Sequence, residues 1–302
     1  MNGLEDLSET AHTLGCTVCR DEPMSRHTTF HIGGPADLFL TVPDISALKG
    51  ICRKAAETGT PLFPLGKGSD LLVSDAGIRG AVVALGSNFR KVLLVSESSL
   101  LCGTAASIAS VCNFAKEQSL TGIEFAWGIP GSMGGAVFMN AGAYEHCVSE
   151  VITACSHVTR SGKEETLSGN ALDFGYRHSP YSAGGPVITS VRIKLKHGEQ
   201  SKIAAQMDDL YARRRAKQPL ELPSAGSVFK RPKGHYAGTL IEQCGLKGRR
   251  VGGAAISQKH AGFIVNLGGA TCADVEKLIG IIQETVLRES GVALECEVRK
   301  VG

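Results

Sequence analysis

Two stretches carry glycine at a density that folding alone seldom requires: "PLGKGSD", Pro64 to Asp70, and "GIPGSMGGAVFMNAGAY", Gly128 to Tyr144. Glycine packs nothing into a core and loses the most freedom on ordering. Consecutive amides in glycine turns form concave nests that bind phosphate oxygens. A chain without Cβ atoms can also lie directly against a pyrophosphate. Neither stretch is G-x-G-x-x-G, and neither continues into the G-K-[ST] of a P-loop, which disfavours the common nucleotide folds. Taken alone, the glycines read as a pair of tight turns or as a diphosphate cradle. Both stretches follow apolar strands, and a diphosphate needs donors from more than one side, which tips the reading toward the cradle.

The ten cysteines offer little further chemistry. Cys16 and Cys19 form a lone CxxC with no second pair at zinc-ligand spacing, so no metal is expected. Cys52, Cys112, Cys244 and Cys272 fall on apolar-periodic positions and read as small buried hydrophobes in a reducing compartment. With 302 residues, 43% hydrophobic and 20% charged, the chain has the balance of a soluble globular protein of two or three domains. A net charge of +3 is too mild to argue for nucleic acid and suits an anionic small molecule. No apolar run reaches the roughly 18 residues of a membrane span. The acidic start "MNGLEDLSETAHTLGC" lacks the basic and apolar regions of a secretory leader, so a cytoplasmic protein is expected.

The elements that must position these loops follow from periodicity. Ile45, Leu48, Cys52, Ala55 and Ala56 mark a helix that ends at Gly59. "ADLFLTVP" before it and "PLFPLGKGSDLLVSDAGIRGAVVAL" after it read as strands joined by glycine turns, giving a small β-α-β-β unit. A second helix is expected over 107–120, and "PVITSVRIKLK" reads as a strand. A polar-faced helix spans roughly 201–218, with a domain boundary expected near residue 200 at "HGEQS". Beyond it come a short helix at "GTLIEQCG", a strand "GFIVNL" and an amphipathic helix over 272–290. Helices and strands mix without regular alternation, so the expected class is α+β.

A set of motifs in fixed order carries a resemblance. "RHTTFHIGGPADLFL", "PLGKGSDLLVSDAGIRGAVV", "GIPGSMGGAVFMNAGAY" and "FGYRHSPY" are followed by "PSAGSVFKRPKGHYAG", "LIEQCGLKG", "SQKHAGFIVN" and "LECEVR". From about Arg26 to the C-terminus the chain closely resembles the UDP-N-acetylenolpyruvoylglucosamine reductases, in the shorter form that lacks an extra substrate-capping loop. The resemblance implies the FAD-binding fold of vanillyl-alcohol oxidase (PCMH type), in which two α+β subdomains clasp a non-covalent flavin and a C-terminal α+β domain covers the substrate. The expected division is 1–25 without an assigned role, 26–85 and 86–200 as the FAD-binding subdomains, and 201–302 as the substrate domain.

The implied reaction is NADPH-dependent reduction of UDP-N-acetylglucosamine enolpyruvate to UDP-N-acetylmuramate, in peptidoglycan synthesis. The FAD contacts fall on Gly66, Lys67, Gly68, Ser69 and Asp70, and on Gly128, Ile129, Pro130, Gly131, Ser132, Gly134, Gly135, Asn140, Ala141 and Gly142. Ser227 matches the proton donor, Arg177 the arginine that faces the substrate carboxylate, and Glu297 the third catalytic group. A hydroxyl is a weak acid and can serve only against a strongly basic carbanionic centre held close by. A guanidinium suits a developing enediolate because it is planar, permanently charged and bidentate. Without the motifs, the same three read as a turn serine, a surface ion pair and a strand-edge carboxylate paired with Arg299 or Lys300. Tyr176, Arg215, Lys230 and His260 are substrate-side candidates. No nucleic-acid or membrane partner is expected, and the chain is expected to be a monomer.

Four positions depart from the family pattern: His31, Asp70, His146 and Cys296. Asp70 matters most, because a carboxylate near phosphate repels it unless turned away. Two other readings remain at this stage. One is a different oxidoreductase of the same fold, with flavin linked covalently through His146 or Cys147. The other is a flavin- or nucleotide-sugar-binding module without catalysis.

Overall fold

A computed structural model describes residues 3–302 and divides into two compact units that interleave along the chain. The first holds the N-terminal stretch up to Arg20, then Leu38–Lys67 and Gly80–Ala212. The second holds Asp21–Asp37, Gly68–Arg79 and Arg213–Gly302. A four-stranded sheet, ordered Thr17–Pro23, Pro35–Val42, Ile78–Leu85 and Leu62–Leu65, contains three of the points where the chain passes from one unit to the other.

The first unit has two cores. One lies on a five-stranded antiparallel sheet ordered Glu164–Ser168, Ile152–Val158, Val187–Lys194, Ser99–Gly103 and Val92–Ser96. The expected second helix is Ile108–Glu117, started by Ser107, whose hydroxyl accepts the Ser110 amide. Its Ile108, Val111, Cys112 and Ala115 are buried with Leu100, Val191 and Ile193 of the sheet. The other core joins Leu38 and Leu40 to Leu48, Ile51 and Cys52 of the helix Ile45–Thr58. That helix is capped by Asp44 and ends at Gly59 in the left-handed region, at φ 68°. Leu7 and Ala11, from the helix Gly3–Thr13, are fully buried in the same core. Leu14, just past that helix, packs over Gly50, where a Cβ would lie 2.5 Å from its Cδ1. The first residues, for which the sequence suggested no role, thus seal a core.

The helix expected over 201–218 is Gln200–Lys217, and it lies in the first unit as far as Ala212. Ile203, Met207 and Leu210 are buried, the Tyr144 hydroxyl donates to the Leu210 carbonyl at 2.7 Å, and Tyr211 meets Trp127 at 6.4 Å between ring centroids. These contacts keep the helix with the first unit as far as Ala212.

The second unit is built on a four-stranded antiparallel sheet ordered Ser224–Ser227, Phe263–Asn266, Ala254–Ile256 and Arg250–Val251. The helix Cys272–Ser290 buries Val275, Leu278, Ile282 and Val286, as its periodicity predicted. The β-α-β-β reading is corrected at one strand. Leu71–Val73 pairs in parallel with Arg299–Val301 rather than with its neighbours in sequence. Gly77 makes the return possible, at φ 84°, where a Cβ would sit 1.8 Å from the Pro35 carbonyl oxygen. Within the same loop the Asp75 carboxylate accepts the Cys272 and Ala273 amides at 2.8 and 3.0 Å, at the positive end of the 19-residue helix.

All ten cysteines are free thiols. Burial pushes Cys52 up to about 11 and, with Glu124 adding to it, Cys112 up to about 12. Among the described residues no helix is long and apolar enough to cross a membrane. Asp75→Ala removes two charge-assisted acceptors from the helix start and should lower the unfolding free energy by about 1–2 kcal/mol. A urea midpoint unchanged from wild type would show that the Thr271–Asp274 capping box suffices without it.

Candidate active site

The glycine-rich stretch is a turn followed by a short helix, Met133–Met139. Gly128 takes φ 83°, and the Ser132 hydroxyl accepts the Gly135 amide at the helix start. Most amides of the stretch are already committed. Met133 donates to Ala106, Gly134 to Thr104 and Ile129 to Ala126, while the Gly131 carbonyl accepts from Ile108. Gly134 is needed for this contact, since a Cβ there would meet Thr104 Cβ at 2.8 Å. No described residue accepts from the amides of Gly128 and Ser132. Gly135 offers a flat approach, since the nearest atom to a Cβ there is Ser132 Oγ at 3.4 Å.

Asn140 ends the helix in the left-handed region and is buried. Its side-chain N–H donates to the Gly175 carbonyl at 2.8 Å, and its side-chain oxygen accepts the Ser149 amide at 3.2 Å. Gly175 and His178 exchange backbone hydrogen bonds at 3.1 Å, which leaves Tyr176 and Arg177 at the tip of a tight turn. Arg177 sits at φ 52°, with its guanidinium 5.1 Å from the centroid of the Tyr176 ring. Ser179 secures the far side by donating to the Phe138 carbonyl at 2.8 Å. Ser179 was not singled out from the sequence, where the following proline was the only signal of a turn.

The first glycine loop behaves differently. Gly66 packs on the second loop, since a Cβ there would lie 2.6 Å from Ser132 Oγ. The amides of Gly66, Lys67, Gly68 and Ser69 donate to no described residue, and the Lys67 ammonium has no described partner. Gly68 is at φ 60°, and a Cβ there would fall 2.2 Å from the His27 carbonyl oxygen. Four successive open amides beside a lysine fit an anionic diphosphate. Asp70 does not defeat the fit. Its carbonyl accepts the Arg299 amide at 3.0 Å, and its carboxylate favours the charged form of the Arg299 guanidinium, which burial disfavours more strongly.

In the second unit Gly226, at φ 76°, turns the chain into Ser227. Glu297 donates its amide to the Val228 carbonyl at 2.8 Å, and Lys230 donates its own to the Glu295 carbonyl at 2.8 Å. One ladder thus sets Ser227 and Glu297 on adjoining segments, whereas Arg177 belongs to the first unit. This ladder leaves out the amide of Cys296, so the position tolerates residues with or without an N–H. The Lys230 ammonium pairs with Glu295, and Lys300 with Glu276.

His260 accepts the Gly262 amide on Nδ1 at 3.1 Å and meets Phe263 edge-on at 5.0 Å. That bond assigns the neutral Nε2–H tautomer. Cβ atoms at Gly238 or Gly262 would come within 3.1 and 3.0 Å of the ring. Burial holds the imidazole below its ordinary 6.5. In the arginine run Arg214 is the buried member and donates to Gln218 at 3.2 Å, while Arg215 is exposed. His146 pairs with Glu150 at 2.8 Å, and Cys147 Sγ lies 3.1 Å from the Ser149 hydroxyl.

Residues 36–168 match the model of an FAD binding domain, and 218–301 that of the UDP-N-acetylenolpyruvoylglucosamine reductase C-terminal domain. A reductase of that name from Pediococcus pentosaceus is 46% identical over 94% of both chains. One from Agathobacter rectalis is 43% identical over 99% of this chain and 98% of its own. The crystal structure of the corresponding enzyme from Thermus caldophilus, 34% identical, superposes with a TM-score of 0.82 over 95% of this chain and 99% of its own. A chitooligosaccharide oxidase, 10% identical, shares the fold alone, at 0.51 over 96% of this chain and 60% of its own. The fold is the α+β FAD-binding type of vanillyl-alcohol oxidase.

Gly68→Ala imposes roughly 1–3 kcal/mol of backbone strain and should weaken FAD binding to the apoprotein about tenfold or more. Unchanged affinity would remove this loop as the diphosphate holder. For His260 the folded pKa lies below the unfolded one, so the stability from the neutral ring is complete above about pH 6.5 and lost as pH falls through the folded value. His260→Gln should therefore reduce the drop in denaturation midpoint between about pH 7.5 and about pH 5. An NMR titration of His260 with its midpoint at or above 6.5 would contradict this.

Proposed function

The chain belongs to the UDP-N-acetylenolpyruvoylglucosamine reductase family, and from that premise we propose a division of labour among its residues. The protein is an FAD-dependent oxidoreductase that reduces UDP-N-acetylglucosamine enolpyruvate to UDP-N-acetylmuramate with NADPH, in peptidoglycan precursor synthesis. FAD supplies the hydride chemistry that carries electrons from NADPH to the enolpyruvyl double bond. The open amides of Gly66–Ser69 and the Lys67 ammonium hold its diphosphate. Gly128, Ile129, Pro130, Gly131, Ser132, Gly134, Gly135, Asn140, Ala141 and Gly142 shape the wall beside it, Gly134 and Gly135 by close approach rather than donation.

As the double bond is reduced, negative charge builds on the substrate α-carbon and spreads into its carboxylate. Arg177 faces that carboxylate as a fixed bidentate donor, pre-organised because Asn140 and Ser179 hold its turn. Ser227 holds the proton on its hydroxyl and delivers it to the α-carbon, while Glu297 polarises the carboxylate end. The observation that carries this assignment is the ladder in which the Glu297 amide binds the Val228 carbonyl, since it spaces the proton source and the carboxyl by backbone rather than by side-chain chance.

Tyr176, Arg215, Lys230 and His260 complete the substrate side, with the exposed Arg215 cation suited to the nucleotide diphosphate. Lys230 serves an anionic substrate by exchanging Glu295, a partly exposed pair that is cheap to break. In this reading 26–85 and 86–200 are the FAD-binding subdomains and 201–302 covers the substrate. The protein works in the cytoplasm, flavin is bound non-covalently, and one chain is a complete catalyst.

Ser227→Ala tests the proton assignment. Under anaerobic conditions NADPH should still bleach its flavin band at close to the wild-type rate. Recovery on adding the enolpyruvyl substrate should slow by about 100-fold or more. Recovery at the wild-type rate would remove Ser227 as the donor.

A further inference from the structure

Ser227 ends the outermost strand of the second unit's sheet, Ser224–Ser227. Ser224 pairs with Val265 and Ser227 with Phe263, so three steps along this strand meet two along its neighbour. The extra residue makes a bulge, with Gly226 at φ 76°. A bulge leaves one residue unpaired and re-aims the side chain beside it. The direction of the Ser227 hydroxyl therefore depends on how the chain is held on each side of the bulge.

Beyond the bulge the hold is the ladder to the C-terminal segment. Val228 donates its amide to the Gly262 carbonyl at 2.9 Å and accepts the Glu297 amide at 2.8 Å. Before the bulge, the free edge of the strand is held by one residue. The Ser224 amide donates to the Thr29 carbonyl at 3.1 Å, and the Ser224 carbonyl accepts the Thr29 hydroxyl at 2.7 Å. A neighbouring strand would make both bonds with its main chain. Here a side chain makes the second.

Thr29 is bonded on its other side to the first glycine loop, where its amide donates to the Gly68 carbonyl at 3.1 Å. Gly68 is packed tightly on the same segment, since a Cβ there would lie 2.2 Å from the His27 carbonyl oxygen. The neighbouring Thr28 acts only locally, its hydroxyl donating to the Ile32 carbonyl at 2.9 Å within the same turn. Thr29 thus joins a loop of open amides to the strand that presents Ser227, and all of these bonds lie in the second unit.

We propose that Thr29 is a positioning residue for proton delivery: its hydroxyl fixes the Ser224 carbonyl and, through the bulge, sets the aim of the Ser227 hydroxyl at the substrate α-carbon. This rests on the reading of Ser227 as the proton donor. Thr29 acts only in the half-reaction in which Ser227 gives up its proton, since reduction of flavin by NADPH does not draw on that proton. A small misplacement of a reacting group is enough to slow its step severely.

Anaerobic stopped-flow absorbance on the Thr29→Val holoenzyme tests this, because valine keeps the branched shape and the amide but removes the hydroxyl donor. Flavin content and bleaching by NADPH should match wild type. Recovery on adding the enolpyruvyl substrate should slow about tenfold at saturating substrate, with the half-saturating concentration unchanged. Thr29→Ser, which keeps the hydroxyl, should restore the rate. Added to Ser227→Ala, Thr29→Val should slow recovery no further, as expected of a residue that acts through Ser227. Equal slowing of both half-reactions, loss of flavin, a Thr29→Ser that fails to rescue, or further slowing in the double variant would each overturn the proposal. A slow Ser227→Ala beside a Thr29→Val that recovers normally would refute the positioning alone, whereas normal recovery in Ser227→Ala would refute the donor and the positioning with it.

Discussion

A buried carboxamide has to satisfy both of its ends, and in this protein Asn140 does so across three loops. It closes the helix of the glycine-rich stretch, fixes the Gly175 carbonyl at the base of the arginine turn, and accepts the Ser149 amide. An unmade bond at such a site costs the full desolvation of the group, so the three loops cannot move independently. The left-handed backbone at Asn140 and at Arg177 is held in place by this bracket and by Ser179. Arg177 is thus carried on a braced turn of the first unit.

The two glycine loops differ in what their backbone offers. In the second loop, glycine buys proximity: the chain is zipped onto Thr104 and Ala106 so tightly that few amides are left to donate. In the first, glycine supplies turns that leave the amides of Gly66–Ser69 open. Donors already open in this way need no rearrangement to meet an acceptor.

The sequence made the helices Ile45–Thr58 and Cys272–Ser290 legible because each has a clean apolar period and punctuating caps, Asp44 with Gly59 and Thr271 with Gly291, whereas Gly3–Thr13 and Met133–Met139 were not anticipated. It also pointed to the glycine loops, through composition. It could not show which loop donates, because that depends on which carbonyls lie opposite, and those come from Thr104 and Ala106 more than twenty residues upstream. Nor could it show that Leu71–Val73 leaves its sequence neighbours, since the partner strand lies at the far end of the chain. The placement of Ser227 and Glu297 on adjoining segments could not be read from the sequence, because the long intervening chain erases any local spacing signal. The bracing bonds of Asn140 were not legible, since a side chain's hydrogen-bond partners across a fold leave no trace in local pattern.

The parallel pairing of Leu71–Val73 with Arg299–Val301 has a consequence during synthesis. The second unit draws segments from the first third of the chain and from its last residues, so it cannot assemble while the C-terminus is still inside the ribosome. Closing a contact across more than two hundred residues is a late and non-local event. Asp70, at the end of the diphosphate loop, receives its Arg299 hydrogen bond only then. Until Arg299–Val301 is in place, the loop that ends at Asp70 therefore lacks both that hydrogen bond and the parallel strand beside it.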